Sequence, residues 1–303
     1  MAPFANQIHV DTLLSNVSVK YRMPDLIAFQ VFPELQVKKT SDLYRVYNQN
    51  FRVPDTLRAN KGTAREHEWE VSSASYQLAR HSLKSYVSDT DAQNYDLADL
   101  RAETTEELTE VILRRIELDV ANLFTTTNWS LNVSLAAGAN FNANTTTSNP
   151  IPVFDTGVST VIQNSGATPN FGILPRDAYV GCKNHTSVLD RTKYTSAEMT
   201  VKMLQALFDI PELLIPNASY DSSNLGATTT LQNFYGNIAF LGYKPASPGP
   251  LKPSAGYLFR NSIPMTKRWR VEERESDAIE VNMEYQAKIV ASLTGYLIKA
   301  ATQ

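Results

Sequence analysis

The side chains that most often carry out chemistry are few and scattered in this sequence. Its 303 residues include one cysteine, Cys182, and four histidines, His9, His67, His81 and His185. No two of the histidines have the spacing of a metal-binding pair, and the segment "HEWE" at His67 lacks the second histidine of a zinc-protease helix. The sequence therefore predicts no metal site and no cofactor.

Cys182 and His185 lie three residues apart in "GCKNH" and form a candidate nucleophile and base. A cysteine attacks as its thiolate, and the neighbouring residues offer no evident means of lowering the pKa of the thiol. The favoured interpretation is a small buried thiol beside a histidine in a surface loop. A hydrolase that uses this pair stays open as a minor alternative. The chain also has no nucleophile elbow, phosphate-binding loop or dinucleotide fingerprint.

The charge balance argues against a surface built mainly to hold nucleic acid. The 28 Lys and Arg residues face 31 Asp and Glu residues, which gives a net charge of -3, whereas phosphate binding requires an excess of cations. A single cysteine cannot close a disulfide within the chain. The N-terminus lacks the basic start and apolar run of a signal peptide. We therefore expect folding in the cytoplasm and no membrane partner.

Two unusually long elements are predicted to support the fold. Leu108, Ile112, Ile116 and Val120 recur every four residues, which indicates one apolar face of a helix over residues 98–124. Such a helix would be about 40 Å long.

The second long element is a strand near the C-terminus. Apolar and polar residues alternate without a break from Ile279 to Ile289, the pattern of a strand with one buried face. With "RWRVEERE" before it and a turn expected at Ser276 and Asp277, this segment predicts a long antiparallel hairpin.

Two further segments lack an evident partner within the chain. Residues 1–35 have no sustained period and are interrupted by Pro3, Pro24 and Pro33, which predicts an extended arm that needs another surface to lie on. The stretch "RVPDTLRANKGTAREHEWEV" lies between two strand-like runs and has eight charged side chains in twenty positions, four of each sign. We expect it to be the tip of a long hairpin that contacts a neighbouring subunit. The candidate contact residues are Arg52, Arg58, Lys61, Arg65, Glu66, Glu68 and Glu70.

Five segments, in this order, together resemble a known family. They are "DLIAFQVFPELQVKKTSDLYRVY", "GTAREHEWEVSSASYQLARHSLKSYVSDTDAQNYD", "ELDVANLF", "KYTSAEMTVKMLQALFDIPELLIPNASY" and "RWRVEERESDAIEVNMEYQAKIVASLTGYLI". The order is similar to that of the major capsid proteins of tailed bacteriophages, which have the Hong Kong 97 coat fold. The resemblance implies an α+β fold with an N-terminal arm (1–35), an extended loop (36–88), a peripheral domain (89–150 and 266–290, with a spine helix at 98–124) and an axial domain (151–265 and 291–303).

The resemblance also implies a function and partners. The chain would assemble as hexamers and pentamers into an icosahedral shell around packaged double-stranded DNA, which it would touch only through weak, non-specific contacts. The arm starts close to Met1, which predicts a separate scaffolding protein. The resemblance also implies a portal, and it leaves open whether a decoration protein is present. Assembly would take place in the host cytoplasm and the mature protein would belong to the virion. The alternative with the same fold is an encapsulin-type compartment that encloses enzyme cargo.

Overall fold

The computed structural model describes most of the chain after residue 25. The described residues are 26–47, 53, 55–58, 60, 62–64, 66, 71–95, 99–143, 145, 147–193, 200–224, 226–249, 252–261 and 265–302.

Strands and helices are mixed along the chain, as expected of an α+β fold. In the described residues the strands are β1 Glu34–Gln36, β2 Ser41–Tyr47, β3 Val71–Gln77, β4 Ala79–Ser88, β5 Asn132–Ser134, β6 Phe171–Ile173, β7 Glu212–Leu214, β8 Ser219–Asp221, β9 Leu231–Asn233, β10 Ile238–Gly242, β11 Gly256–Arg260, β12 Met265–Val271, β13 Ser276–Ile289 and β14 Gly295–Lys299. The helices are α1 Ala28–Val31, α2 Asp89–Gln93, α3 Leu100–Ala121, α4 Pro150–Ser165, α5 Arg176–Asn184, α6 Thr186–Thr192 and α7 Val201–Leu207.

The 14-residue strand β13 is the centre of a long sheet. One of its edges pairs with β4 over ten residues, and the other pairs first with β12 and then with β11. Strand β1 extends the sheet beyond β11 in parallel. The predicted strand is therefore confirmed, and it begins three residues earlier than expected.

The turn predicted at Ser276 and Asp277 is wrong. The chain reverses at the short 3-10 helix Glu272–Arg274 and at Glu275, which has a left-handed φ of 41°. Ser276 and Asp277 instead begin β13. The reason is that the Asp277 carboxylate is bound by arginines of two other elements, so this acidic residue is buried rather than solvated at a turn.

Helix α3 covers one face of the long sheet. Its predicted apolar stripe is confirmed, since Ile112, Ile116 and Val120 are buried and Leu108 packs against the same core. The Asp99 side chain caps its start by accepting a hydrogen bond from the Arg101 N–H at 3.0 Å. The helix is 22 residues long, or about 33 Å.

The second, more compact unit has a five-stranded sheet in the order β5-β14-β10-β6-β7. Helices α4 to α7 contribute about half of its core, in which Phe154 and Phe208 stack 4.1 Å apart. Two short strands lie on the other side of the predicted domain boundaries. Strand β5 was expected in the peripheral domain but pairs with β14, and β11 was expected in the axial domain but pairs with β13.

Aromatic side chains join the two units. Phe124, just after α3, lies 5.9 Å from Trp129 and 4.8 Å from Phe240 of β10, measured between ring centroids. All three are buried in the same core as Val281 of β13. A shared apolar core of this kind resists independent movement of the two units.

Candidate assembly surface

A hairpin made of β2 and β3 extends from the long sheet. The two strands pair only with each other, from Ser41 opposite Gln77 to Tyr47 opposite Val71. Leu43 is 66% exposed, and at the tip Val53 and Leu57 are 90% and 88% exposed. An isolated two-stranded hairpin is marginal in water, so this one presents apolar side chains that no described residue covers.

The root of the hairpin is firmly attached. Tyr76 of β3 stacks on Phe259 of β11 at 4.9 Å, and Tyr44 of β2 lies 5.6 Å from the same ring. The Lys288 ammonium lies over Tyr44, and the Gln77 N–H donates to the Gln286 side chain at 2.9 Å. The hairpin therefore projects in a direction that the long sheet fixes.

The predicted contact residues are only partly described. Arg58 and Glu66 are exposed, and the Arg58 Nε donates to the Gly62 carbonyl at 2.6 Å. This hydrogen bond holds the Arg58 side chain against the backbone of the tip. Arg52, Lys61, Arg65, Glu68 and Glu70 lie outside the described residues, so their contacts with a neighbouring subunit stay a prediction.

Residues 26–35 do not behave as the predicted arm. Ile27, Ala28, Val31 and Phe32 are buried in the core of their own chain, so this part needs no second subunit. The Phe32 ring packs against Gly256, where an added Cβ would lie 2.5 Å from the ring. The space left by the glycine allows the ring to be buried. The rest of the predicted arm, residues 1–25, lies outside the described residues.

A buried carboxylate anchors this segment to the long helix. Glu117 of α3 accepts hydrogen bonds from the N–H groups of Ile27 (3.1 Å) and Ala28 (2.8 Å) and from the Tyr235 hydroxyl (2.7 Å). Burial raises the pKa of Glu117 above its ordinary value, while these three hydrogen bonds act in the opposite direction. The burial of Glu117 could have been predicted from the helical period, because this residue lies four residues after Leu113 and three before Val120 on the buried side of the helix.

An ionic cluster at the other end of α3 was also missed. Asp277 accepts from Arg101 Nε at 2.7 Å and from Arg268 at 2.6 Å, and Asp89 accepts two bonds from Arg270. The bond from Arg268 is the largest influence that lowers the pKa of Asp277, and the bond from Arg101 adds to it. These contacts connect the end of β12 and the start of β13 to the starts of α2 and α3.

Cys182 and His185 do not form a catalytic pair. Cys182 is fully buried, and burial raises the pKa of its thiol, so the thiolate is disfavoured. His185 is buried too, not in a surface loop as predicted, and its Nδ1 caps α6 by accepting from the Ser187 N–H at 3.2 Å. Burial lowers the pKa of His185. Both side chains therefore have surroundings typical of residues that stabilise the fold.

Metal-binding clusters and membrane-spanning helices are both absent from the described residues. No group of three or more His, Cys, Asp and Glu side chains there is arranged to hold a metal ion. None of the helices in the same residues has the length and apolarity of a membrane span.

Known proteins resemble this chain in sequence and in structure. The major capsid protein of Burkholderia phage BcepMu is 24% identical over 95% of each chain. The major capsid protein of Pseudomonas phage JBD67 is 25% identical over 88% of this chain and 81% of the relative. A crystal structure of a phage-related protein from Bordetella bronchiseptica RB50 superposes with a TM-score of 0.74, at 23% identity and with 96% of this chain and 97% of that chain covered. The chain has the Hong Kong 97-like coat fold.

The capsid of cyanophage P-SCSP1u adds a second structural likeness, with a TM-score of 0.64 at 11% identity, covering 93% of this chain and 90% of that chain. The predicted fold class and the predicted resemblance to tailed-phage major capsid proteins are therefore confirmed. No protein-family model matches the chain.

Proposed function

We propose that this chain is the major capsid protein of a tailed phage, a structural subunit of an icosahedral shell. The observation that carries the proposal is the sequence likeness to two major capsid proteins, one of them over 95% of both chains, on a chain with the coat fold. The long sheet with α3 would be the peripheral domain, and the compact unit the axial domain. Hexamers and pentamers would be the building blocks.

The hairpin of β2 and β3 supports assembly on physical grounds. Its root is fixed to Phe259, yet Val53 and Leu57 at its tip are almost fully exposed. Exposed apolar side chains that form one patch mark a site of interaction with a partner. In a closed shell, the neighbouring subunit would cover them, and many such contacts would add up although each one is weak.

The remaining partners follow from the same role. A separate scaffolding protein and a portal would act with the shell, with or without a decoration protein, and packaged DNA would touch it only through weak, non-specific contacts. Assembly would take place in the host cytoplasm, and the finished subunit would be part of the virion. A structural role also fits the surroundings of Cys182 and His185, which favour the packing of both side chains over catalysis. An encapsulin-type compartment is less well supported, because both curated relatives are major capsid proteins of phages.

Charge reversal at the hairpin tip tests the assembly role. Changing Arg58→Glu, Lys61→Glu and Arg65→Glu together should leave the monomer folded, by circular dichroism and thermal melting, and should prevent shells from forming. The matched control reverses Lys202, Lys252 and Lys299, three exposed lysines outside the hairpin, and alters net charge equally. Normal shells from the hairpin variant in negative-stain electron microscopy would show that the charge of the tip is incidental.

A further inference from the structure

A short segment lies where the long sheet and the compact unit meet. Residues 27–32, here called the strap, include the one-turn helix α1 and end before β1, so they are part of neither sheet. The apolar side chains of the strap are buried in the core that also contains Val281 of β13 and Phe240 of β10. The strap therefore packs against side chains of both units.

The start of the strap is bound by the unit of the long sheet. The N–H groups of Ile27 and Ala28 donate to separate oxygens of Glu117 in α3, at 3.1 Å and 2.8 Å. The first N–H groups of a helix have no partner within it and carry a partial positive charge. One carboxylate thus satisfies two of them and complements the helix dipole.

The end of the strap is bound by the compact unit. The Lys244 ammonium donates to the Gln30 carbonyl at 2.7 Å, and a cation is favourable at this end of a helix. The same ammonium pairs with Glu212 of β7 at 2.7 Å and lies 5.2 Å from the ring centroid of Phe171 in β6. The Asn170 side chain holds the backbone of Lys244, accepting from its N–H at 2.9 Å and donating to its carbonyl at 2.6 Å.

The two anchors are coupled through a single helical turn. The N–H groups of Gln30 and Val31 donate to the Ile27 carbonyl at 2.9 Å, and that of Phe32 donates to the Ala28 carbonyl at 2.8 Å. One turn of helix is not stable in water by itself, so the loss of one anchor weakens the hold on the whole strap. Its release breaks no strand pair, because β1 begins after it.

We propose that the strap fixes the angle between the long sheet and the compact unit, and that it detaches as one piece to let them turn. With both ends bound, it joins the two units beside their shared core. With the strap released, the aromatic cluster of Phe124, Trp129 and Phe240 remains as the pivot. The inference concerns contacts within one chain and does not depend on the proposed function.

Hydrogen exchange of the unassembled protein tests whether the strap detaches as one piece. Lys244→Met removes the ammonium and keeps most of the stem. Because a charge-assisted hydrogen bond is lost, the strap amides should exchange about tenfold faster or more, while those of β13 keep their rates. The control Glu212→Gln removes the ion pair of Lys244 but leaves its bond to Gln30. This variant should exchange like the unchanged protein, since a pair with a carboxylate side chain that is 43% exposed contributes little.

Distances between two spin labels test the effect on the angle. The labels are attached at Ser82→Cys in β4 and Asp190→Cys in α6, two exposed positions. Val31→Asp places a charge at a fully buried position, which expels the strap because an unpaired buried charge is costly. The narrow distance distribution of the labelled parent should then broaden. Val111→Asp at a 39% exposed valine is the control and should leave the distribution narrow.

Three results would overturn the inference. In the first, Lys244→Met leaves the exchange of the strap unchanged, or speeds it only together with β13, so that the strap opens only with the whole fold. In the second, Val31→Asp fails to fold, so that the units need the strap to be stable. In the third, the distance distribution stays narrow in folded Val31→Asp, so that the strap does not set the angle. None of these results bears on whether the chain forms shells.

Discussion

Glu117 shows how one buried carboxylate fixes the start of the described chain. Three donors, the N–H groups of Ile27 and Ala28 and the hydroxyl of Tyr235, converge on its two oxygens. An amide in the same place would turn its NH2 group toward one of these donors. Glu117→Gln should therefore lower the free energy of unfolding by about 1 to 3 kcal/mol, the usual cost of an unsatisfied buried donor.

Urea unfolding followed by tryptophan fluorescence measures this effect. The control is Glu107→Gln, an exposed position on the same helix, which should change stability by less than about 0.5 kcal/mol. Equal effects at the two positions would show that the contacts of Glu117 contribute nothing net.

Asp277 makes a pH-dependent contribution. Arg268 and Arg101 lower its pKa from the usual 3.8. A carboxyl whose pKa is lower in the folded state stabilises the fold above the unfolded value, and this stabilisation is lost as the pH falls through the folded value. Asp277→Asn should accordingly be less stable than the unchanged protein near pH 7, and the difference should shrink as the pH falls below 3.8.

Urea midpoints measured near pH 7 and near pH 3 give this comparison, with Asp190→Asn at an exposed position as the control. A deficit of Asp277→Asn that is the same at both pH values would mean that its cause is lost packing and not lost charge.

At the residue scale, the sequence could reveal periodic positions but not distant pairs. Ile112, Ile116 and Val120 were predicted to be buried because their spacing is local information. Glu117 and Asp277 were not, because their partners lie 90 and 176 residues away along the chain. Only the folded topology brings such groups together.

At the scale of elements, the fit between α1 and β11 is tight enough to test. Adding a Cβ at Gly256 would bring it within 2.5 Å of the Phe32 ring, which is fully buried and lies 5.9 Å from Phe124. The ring has no free space to enter. Gly256→Ala should destabilise the protein by about 1 to 3 kcal/mol, the usual cost of overpacking.

The comparison is Gly249→Ala, where the nearest atom to an added Cβ is the Lys252 side chain at 3.9 Å. Thermal unfolding should separate the two variants by several degrees. If the two variants melted at the same temperature, residues 26–35 would be held loosely and not by the fit described for Phe32.

Long elements were predictable and short ones were not. The helix α3 and strand β13 have enough residues for a period to be read, and both were found near their expected positions. Strands β1 and β5 have three residues each, too few for a period, and their place is set by the strands they join. The turn before β13 was misplaced because Asp277 looks like a turn residue until its arginine partners are known.

At the scale of the whole molecule, the shared core and the projecting hairpin have different roles. The aromatic cluster of Phe124, Trp129 and Phe240 holds the long sheet and the compact unit together, so each subunit would enter a shell as a nearly rigid body. The hairpin of β2 and β3 is attached to this body at its root, and among the described residues its two strands pair with no other strand. These two properties suit a subunit whose surface is completed by its neighbours.

The sequence predicted these roles of the core and the hairpin only through the family resemblance. Composition and charge argued against a protein built mainly to hold nucleic acid, and the lack of known catalytic motifs argued against an enzyme. Neither observation indicates a protein that forms a shell. Contacts between subunits would be made by side chains that are exposed in the single chain and become buried only in the assembly. A single chain therefore shows the surfaces and not their pairing.

Cryo-electron microscopy of the purified protein tests the central claim most directly. The result we expect is a closed icosahedral shell of hexamers and pentamers, in which the hairpin of each subunit lies on a neighbouring copy. A protein that stays a compact monomer under all conditions would contradict the account.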